Sequence, residues 1–360
     1  MKRKLVLLLI IALTLIGFTA CGGGSDDAAD NAGAESNGEA DADVDADAGA
    51  EEPIVIQLAH VEPEDRSLHE GSVLFKEYVE EKSGGKLSVN ILPNGQYGGD
   101  LQAVEGTILG TIQMTAAASS VLTSYSNDFM ILDLPFMFDS REASYHALDG
   151  ELGEALNATL PDGLIGLGFN DNGLRQITNS KRPITAPDDL KGIKMRVMES
   201  PVYISMFELL GANPTPMSFT EVYTGLQQGT IDGQENGAGL IYASKFQEVQ
   251  KYLSLTGHVY SVNAIVINQP FYESLPEDLR QIIADGVKEG LVDGQRAIEG
   301  SGDEKFIGLL QEAGMEVNEI SPENMLKFRE TVSPMYEEYK GSTIREELFD
   351  MIAESNEAAK

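Results

Sequence analysis

Residues 54–92, IVIQLAHVEPEDRSLHEGSVLFKEYVEEKSGGKLSVNIL, decide the fold. Ile54 to Ala59 is an apolar run of strand length. Over Ser67 to Lys82, Leu68, Val73, Leu74, Tyr78 and Val79 recur at helical spacing, and Ser83-Gly84-Gly85 supplies the glycine exit that ends a helix. Lys86 to Leu92 is again a strand. This order repeats along the chain, with further strands expected at Ile112 to Ala116, Leu164 to Phe169, Ile193 to Val197 and Val259 to Ile267. Short apolar strands alternating with amphipathic helices predict an α/β protein with a largely parallel sheet.

One segment is too long for a single small lobe. Leu279, Ile282, Ile283, Gly286, Val287, Gly290, Leu291, Gly294, Ala297 and Ile298 keep helical spacing, which resumes at Phe306, Leu309, Leu310 and Ala313. Residues 276–313 therefore read as a helix of roughly 38 residues, broken near Gly300-Ser301-Gly302 and, at about 1.5 Å per residue, long enough to cross two lobes. Two separate helices joined by a glycine loop are the alternative. Gly286, Gly290 and Gly294 line one face and permit close backbone packing.

The chain has 360 residues and carries 25 Lys+Arg against 58 Asp+Glu, a formal charge of −33. Nucleic acid is excluded as a partner, because phosphate binding needs clustered cations. A single Cys excludes an intrachain disulfide, a Cys-ligated zinc site and a dithiol pair. The charge is uneven: residues 1–20 carry +3, residues 21–52 hold eleven acids and no Lys or Arg, and residues 53–360 keep a net −25.

Lys2, Arg3 and Lys4 precede an apolar run from Leu5 to Ala20, the length of an export signal and short of the roughly 20 residues a spanning helix needs. Gly17-Phe18-Thr19-Ala20-Cys21-Gly22 resembles the lipobox of bacterial lipoproteins, with Phe18 where Leu is usual. That resemblance implies a signal peptide at 1–20 and a lipid anchor on Cys21. An incidental thiol in an uncleaved anchor is the competing reading. The Gly, Asp and Ala-rich stretch 21–52 has no aromatic residue and is expected to be a disordered acidic tether.

Enzyme signatures are sparse. Gly166-Leu167-Gly168 follows a strand but Asp171 stands where a dinucleotide fingerprint needs its third Gly. There is no phosphate-cradling Gly-rich loop ending in Lys-Ser/Thr and no Gly-x-Ser-x-Gly elbow. His60, His69, His146 and His258 show no helix-spaced pair that would hold zinc. No metal or cofactor is expected. Arg196, inside the apolar run Ile193 to Val197, is the residue that calls for explanation. A guanidinium there is costly unless an anion meets it; an edge strand with Arg196 facing water or a structural acid is the alternative.

Gly211-Ala212-Asn213-Pro214-Thr215-Pro216-Met217, Glu221-Val222-Tyr223, Leu226 through Asn236 and Lys245 through Leu253 follow in order, with Leu134-Pro135-Phe136 upstream. Together they resemble the solute-binding proteins of tripartite ATP-independent periplasmic (TRAP) transporters, over nearly all of residues 53–345. The resemblance implies a two-lobed periplasmic-binding-protein-like α/β fold of the class II type, with a long helix bridging both lobes. Lobe 1 is expected at 53–172 and 262–301, and lobe 2 at 173–261 and 302–360. It further implies a receptor, not an enzyme, that closes on an organic acid and delivers it to a membrane permease. Arg196 would pair the solute carboxylate, with Arg175, Asn236, Phe219, His60, Val61 and Asp100 also in the site. Glu235 would either support an Arg or touch ligand.

Gly237 and Gly225 replace residues common in the family, Pro and Ala. The neutral stretch Thr115-Ala116-Ala117-Ala118-Ser119 lacks the acid of the sialic-acid branch. A uronate or related sugar acid and a four-carbon dicarboxylate are the expected solutes. A ligand-sensing surface lipoprotein and a sugar-acid enzyme are the competing functions. The place expected is the outer face of the cytoplasmic membrane.

Overall fold

Ile54–Ala59 (β1) and Leu87–Leu92 (β2) pair in parallel, joined by the helix Ser67–Lys82. The computed structural model describes residues 52–300 and 302–360. The signal at 1–20, the Cys21 anchor, all but the last residue of the acidic tether, and Ser301 lie outside the described residues. The strands that follow are Met114–Ala118 (β3), Leu164–Asn179 (β4), Lys194–Val197 (β5), Asn213–Pro216 (β6), Gly233–Gly237 (β7), Tyr252–Leu255 (β8), Tyr260–Asn268 (β9) and Glu316–Glu319 (β10). They run β2-β1-β3-β9-β4-β7-β5-β6, with β8 also on β4 and β10 on β8.

The sheet is mixed rather than largely parallel. β1 is parallel to β2 and β3, and β5 to β6 and β7, but β9 is antiparallel to both β3 and β4, and β4 to β7 and β8. The cause is the path of the chain. β4 pairs with β9 over Leu164–Leu174 and with β7 over Arg175–Asn179, so it carries the chain from one half of the sheet into the other. β9 brings it back and must run the opposite way. The pairing register slips between Asp171 and Leu174, where Gly173 takes φ +87° and its N–H donates to Asp171 Oδ1 at 2.7 Å. A side chain there would be strained at that φ and crowded by Gly237 and Glu299, so a glycine marks the crossing.

The long helix is confirmed in outline. Glu277–Gly286 continues through a π-helical stretch, Val287–Gly294, into Gln295–Gly300, and Asp303–Glu312 resumes beyond. Its first part packs on Ser67–Lys82, its last on the helix Ala238–Ala243. A Cβ added at Gly290 would lie 2.4 Å from the backbone nitrogen of Phe75, and one at Gly286 2.8 Å from Val79. The glycine face therefore sets how closely the two helices approach. Phe75, Val79, Ile283, Val287 and Leu291 form with Ile56, Leu58, Ile265 and Ile267 the core under this half of the sheet. Each such side chain is worth ~1.5–3 kcal/mol on full burial.

A second core joins Val222, Ile241, Phe246, Leu253 and Leu310. The C-terminal helix Glu346–Ala358, expected with the second lobe, packs against Arg141–Leu148 and Glu151–Asn157 from the first run of the chain. Among the described residues no helix is long and apolar enough to cross a membrane.

Candidate ligand-binding site

The ends of several strands and the starts of four helices converge on one cavity. Val61 and Glu62 follow β1, and Leu68 lies in the first turn of Ser67–Lys82. Asp100 opens the helix Asp100–Ile108, Phe219 opens Phe219–Gln228, and Leu240 belongs to Ala238–Ala243. Strands and their ends contribute Ala116 and Ala118 (β3), Asn172 (β4), Arg196 and Met198 (β5), Asn236 (β7) and Asn263 (β9).

Arg196 lies on an inner strand between β6 and β7, which removes the edge-strand alternative. Met195 and Val197 are buried in the apolar core, while Arg196 faces the cavity and is 3 % exposed. Its Nε donates to the Met217 carbonyl at 2.8 Å. Among the described residues no carboxylate comes within 4 Å of its guanidinium. Burial lowers its pKa to about 10, with Glu235 opposing and Arg175 adding to the shift. It remains charged at neutral pH, a buried cation without a counterion.

Arg175 is different. It is wholly buried and its fork is occupied by Glu235: Nε and Nη2 donate to the two carboxylate oxygens, the second at 2.9 Å, and Nη2 also donates to the Glu235 carbonyl at 2.6 Å. Nη1 donates to Ser261 Oγ at 3.2 Å. Residues 175 and 177 of β4 share a face with 237 and 235 of β7, so the pair forms diagonally across the two strands. His258 Nε2 lies 3.2 Å from Glu235 Oε2. Burial pushes the Glu235 carboxyl up, but Arg175 and His258 together hold it down at about 2. Glu235 is thus the acid that supports an Arg.

Val61, Asp100, Arg196, Phe219 and Asn236 are brought together on the cavity wall; Arg175 and His60 are not among its lining residues. His60 turns its Nε2 to His69 Nδ1 at 3.2 Å, and burial, aided by His69, lowers its pKa to about 3. It is neutral and offers no charge to a carboxylate. Asn236 Nδ2 donates to Gln234 Oε1 at 2.6 Å, and the Phe219 ring packs 6.0 Å from that of Phe246. Asp100 is half-buried. Burial, reinforced by Glu62, raises its pKa to about 7 against the pull of the Ala118 backbone N–H and Arg196.

The structure adds wall residues that sequence reading missed, chiefly Glu62, Asn172 and Asn263. Glu62 accepts from Arg66 Nε at 3.1 Å, and Arg66 Nη2 also pairs with Glu299 Oε2 at 2.9 Å. Burial pushes the Glu62 carboxyl above its ordinary value, while Arg66 draws it down. A usable signal did exist for Asn263: like Arg196, it is a polar side chain in the middle of an apolar strand.

Residues 58–342 match the model of the bacterial extracellular solute-binding proteins, family 7 (DctP). The chain belongs to that family. Among relatives of this solute-binding protein, the 2,3-diketo-L-gulonate-binding periplasmic protein YiaO of Escherichia coli is 37% identical over 252 residues, 70% of this chain and 76% of that one. The C4-dicarboxylate-binding protein DctB of Bacillus subtilis is 30% identical over 311 residues, 85% and 89% of the two chains. The crystal structure of the sugar acid binding protein DctPAm of Advenella mimigardefordensis in complex with galactonate superposes with a TM-score of 0.83 at 36% identity, covering 86% of this chain and 99% of that one. The two-lobed α/β fold of the family 7 solute-binding proteins and a receptor function are therefore established for the chain.

Proposed function

We propose that this receptor holds an organic acid by its carboxylate on Arg196 and delivers it to the membrane subunits of a TRAP transporter. The observation that carries the reading is a buried, charged guanidinium on a cavity wall with no carboxylate among the described residues within 4 Å to meet it. A planar fork suits a carboxylate bidentately and is far costlier to bury unpaired. Asn236, Phe219, Val61 and Asp100 would surround the rest of the solute. Arg175 would act at one remove, fixing the Glu235 carboxylate whose field favours the charge on Arg196. The relatives bind 2,3-diketo-L-gulonate, C4-dicarboxylates or galactonate, which supports a sugar acid or a four-carbon dicarboxylate here.

The lobes are proposed at 53–172 with 262–301 and at 173–261 with 302–360, the C-terminal helix reaching back across them and β4 and β9 serving as the crossings. Export through residues 1–20, lipid on Cys21 and an acidic tether at 21–52 would hold the receptor at the outer face of the cytoplasmic membrane. Mass spectrometry of the mature protein should find a lipidated Cys21 as its N-terminus; a population retaining Met1 removes the anchor.

The central test is a thermal-shift screen over organic acids. At a concentration about 100 times Kd, the cognate acid should stabilise the protein by about 2.7 kcal/mol. A panel of sugar acids and dicarboxylates that leaves Tm unmoved defeats the reading, and conversion of the bound acid to product would favour an enzyme instead.

A further inference from the structure

Arg196 is the guanidinium on the cavity wall, and the other polar groups there are acids and amides: Glu62, Asp100, Asn172, Asn236 and Asn263. Arg66 is shared between Glu62 and Glu299, so it offsets Glu62 only in part. The orientation of the amides follows from Glu62. Its carboxylate accepts from Asn263 Nδ2 at 3.4 Å, and the same Nδ2 donates to Asn170 Oδ1 at 3.1 Å. Asn263 Oδ1 then accepts from Asn172 Nδ2 at 3.2 Å. This chain of bonds leaves Asn172 Oδ1, on a residue 5 % exposed, as a buried acceptor with no donor among the described residues.

We propose that this chain selects a monocarboxylate whose carbon chain bears hydroxyl groups, an aldonate or uronate, over a four-carbon dicarboxylate, with Glu62, Asp100 and Asn172 Oδ1 accepting from those hydroxyls. The inference rests on the reading of Arg196 as the carboxylate partner and goes beyond it. One carboxylate satisfies Arg196, the cation on the described cavity wall. A second carboxylate has acceptors but no donors, and it would face two acids and an amide oxygen in the same condition. Asn172 Oδ1 would stay buried and unpaired, and like charges would be pressed together. A hydroxyl donates to such groups and carries no charge. Sites built to bond a substrate hydroxyl discriminate strongly against analogues that lack it.

Calorimetric titration of the wild-type chain at pH 8, where the Asp100 carboxyl is largely ionised, with galactonate, glucuronate and succinate tests this. At least one sugar acid should bind about 100-fold or more tighter than succinate. Asp100→Asn removes a charge and adds a donor, so it should tighten succinate about tenfold, a gain that misfolding cannot produce. Succinate binding as tightly as both sugar acids overturns the selection while leaving Arg196 as the carboxylate partner. Unchanged succinate affinity in Asp100→Asn removes Asp100 from it. Failure of all three acids to bind overturns the reading of Arg196 itself.

Discussion

Arg175 and Arg196 stand on either side of β7, both withdrawn from water, and they do opposite work. Around Arg175 the protein supplies everything the guanidinium needs: both oxygens of Glu235, its carbonyl and a serine hydroxyl. Around Arg196 it supplies one carbonyl and an empty-handed wall of amides and half-buried acid. Burying a charge is expensive in either place. Where the cost is met from within the fold, the residue is scaffold. Where it is left unmet beside a cavity, the proposed partner is the solute. Burial and residue type alone do not separate the two; the hydrogen-bond inventory does.

The sharpest way to break that contrast is to remove each arginine in turn and ask what is lost. Arg196→Ala should cost roughly 3–5 kcal/mol of binding, because the solute carboxylate is left buried without its partner. That corresponds to about two to four orders of magnitude in affinity. Its melting temperature should be unchanged or higher, since an unpaired buried charge has gone. Arg196→Lys should recover part of the affinity, a point charge replacing the fork. Calorimetry and thermal melts on the same preparations read both quantities, and an Arg196→Ala protein that binds within threefold of wild type removes the residue from the site.

On the other side of β7 the loss should fall on the fold. Arg175→Ala strands the Glu235 carboxylate and should destabilise the protein by about 3–5 kcal/mol, whereas Arg175→Met with Glu235→Leu should restore most of it. Glu235 also fixes the pH dependence. Its folded pKa, about 2, lies below the ordinary 4.5, so its contribution is complete above pH 4.5 and is lost as pH falls toward 2. Urea melts at pH 3 and pH 6 should show that loss in wild type and not in the double variant. If Arg175→Ala melts like wild type, the pair is not scaffold.

The contrast was half legible in the sequence. Arg196 stood out because Met195 and Val197 flank it in an apolar strand, and the strand, helix and glycine exit of residues 54–85 follow periodicity and breakers almost to the residue. Arg175 was harder. It lies in the extension of β4 beyond Phe169, where the expected strand ends but Asn170-Asp171-Asn172-Gly173 forms a slipped register inside one sixteen-residue strand. Its partner strand β7, Gly233-Gln234-Glu235-Asn236-Gly237, has no apolar residue and yet is fully buried. Its polar groups are satisfied sideways, Gln234 by Thr178 and Glu235 by Arg175, and no local pattern encodes partners some 56 to 60 residues away. Glu62, Asn172 and Asn263 escaped for the same reason: the cavity wall is assembled from positions that only the crossing strands bring together.

The smallest expected effect concerns the second acid near Arg175. Asp133 is 2 % exposed, accepts from Ser120 Oγ at 2.6 Å, and lies beside the Ser200 hydroxyl. Burial raises its pKa to about 7, while the serines and Arg175 pull it down and Glu235 adds to the rise. One guanidinium thus faces two carboxyls, and the one bonded to its fork ionises at the lower pH. The sign for Asp133 is opposite to that for Glu235. With a folded pKa above its unfolded value of 3.8, its contribution is complete below pH 3.8 and is lost as pH rises through about 7. Asp133→Asn removes that loss. Its Oδ1 can still accept from Ser120 and its Nδ2 can donate to Ser200, so the variant should be about 1–2 kcal/mol more stable than wild type at pH 8, the relief of a buried charge being partly offset by the buried amide. At pH 4 the two proteins should melt together. Equal stability at pH 8 would mean that Asp133 is already paired when ionised, and that Arg175 serves two anions rather than one.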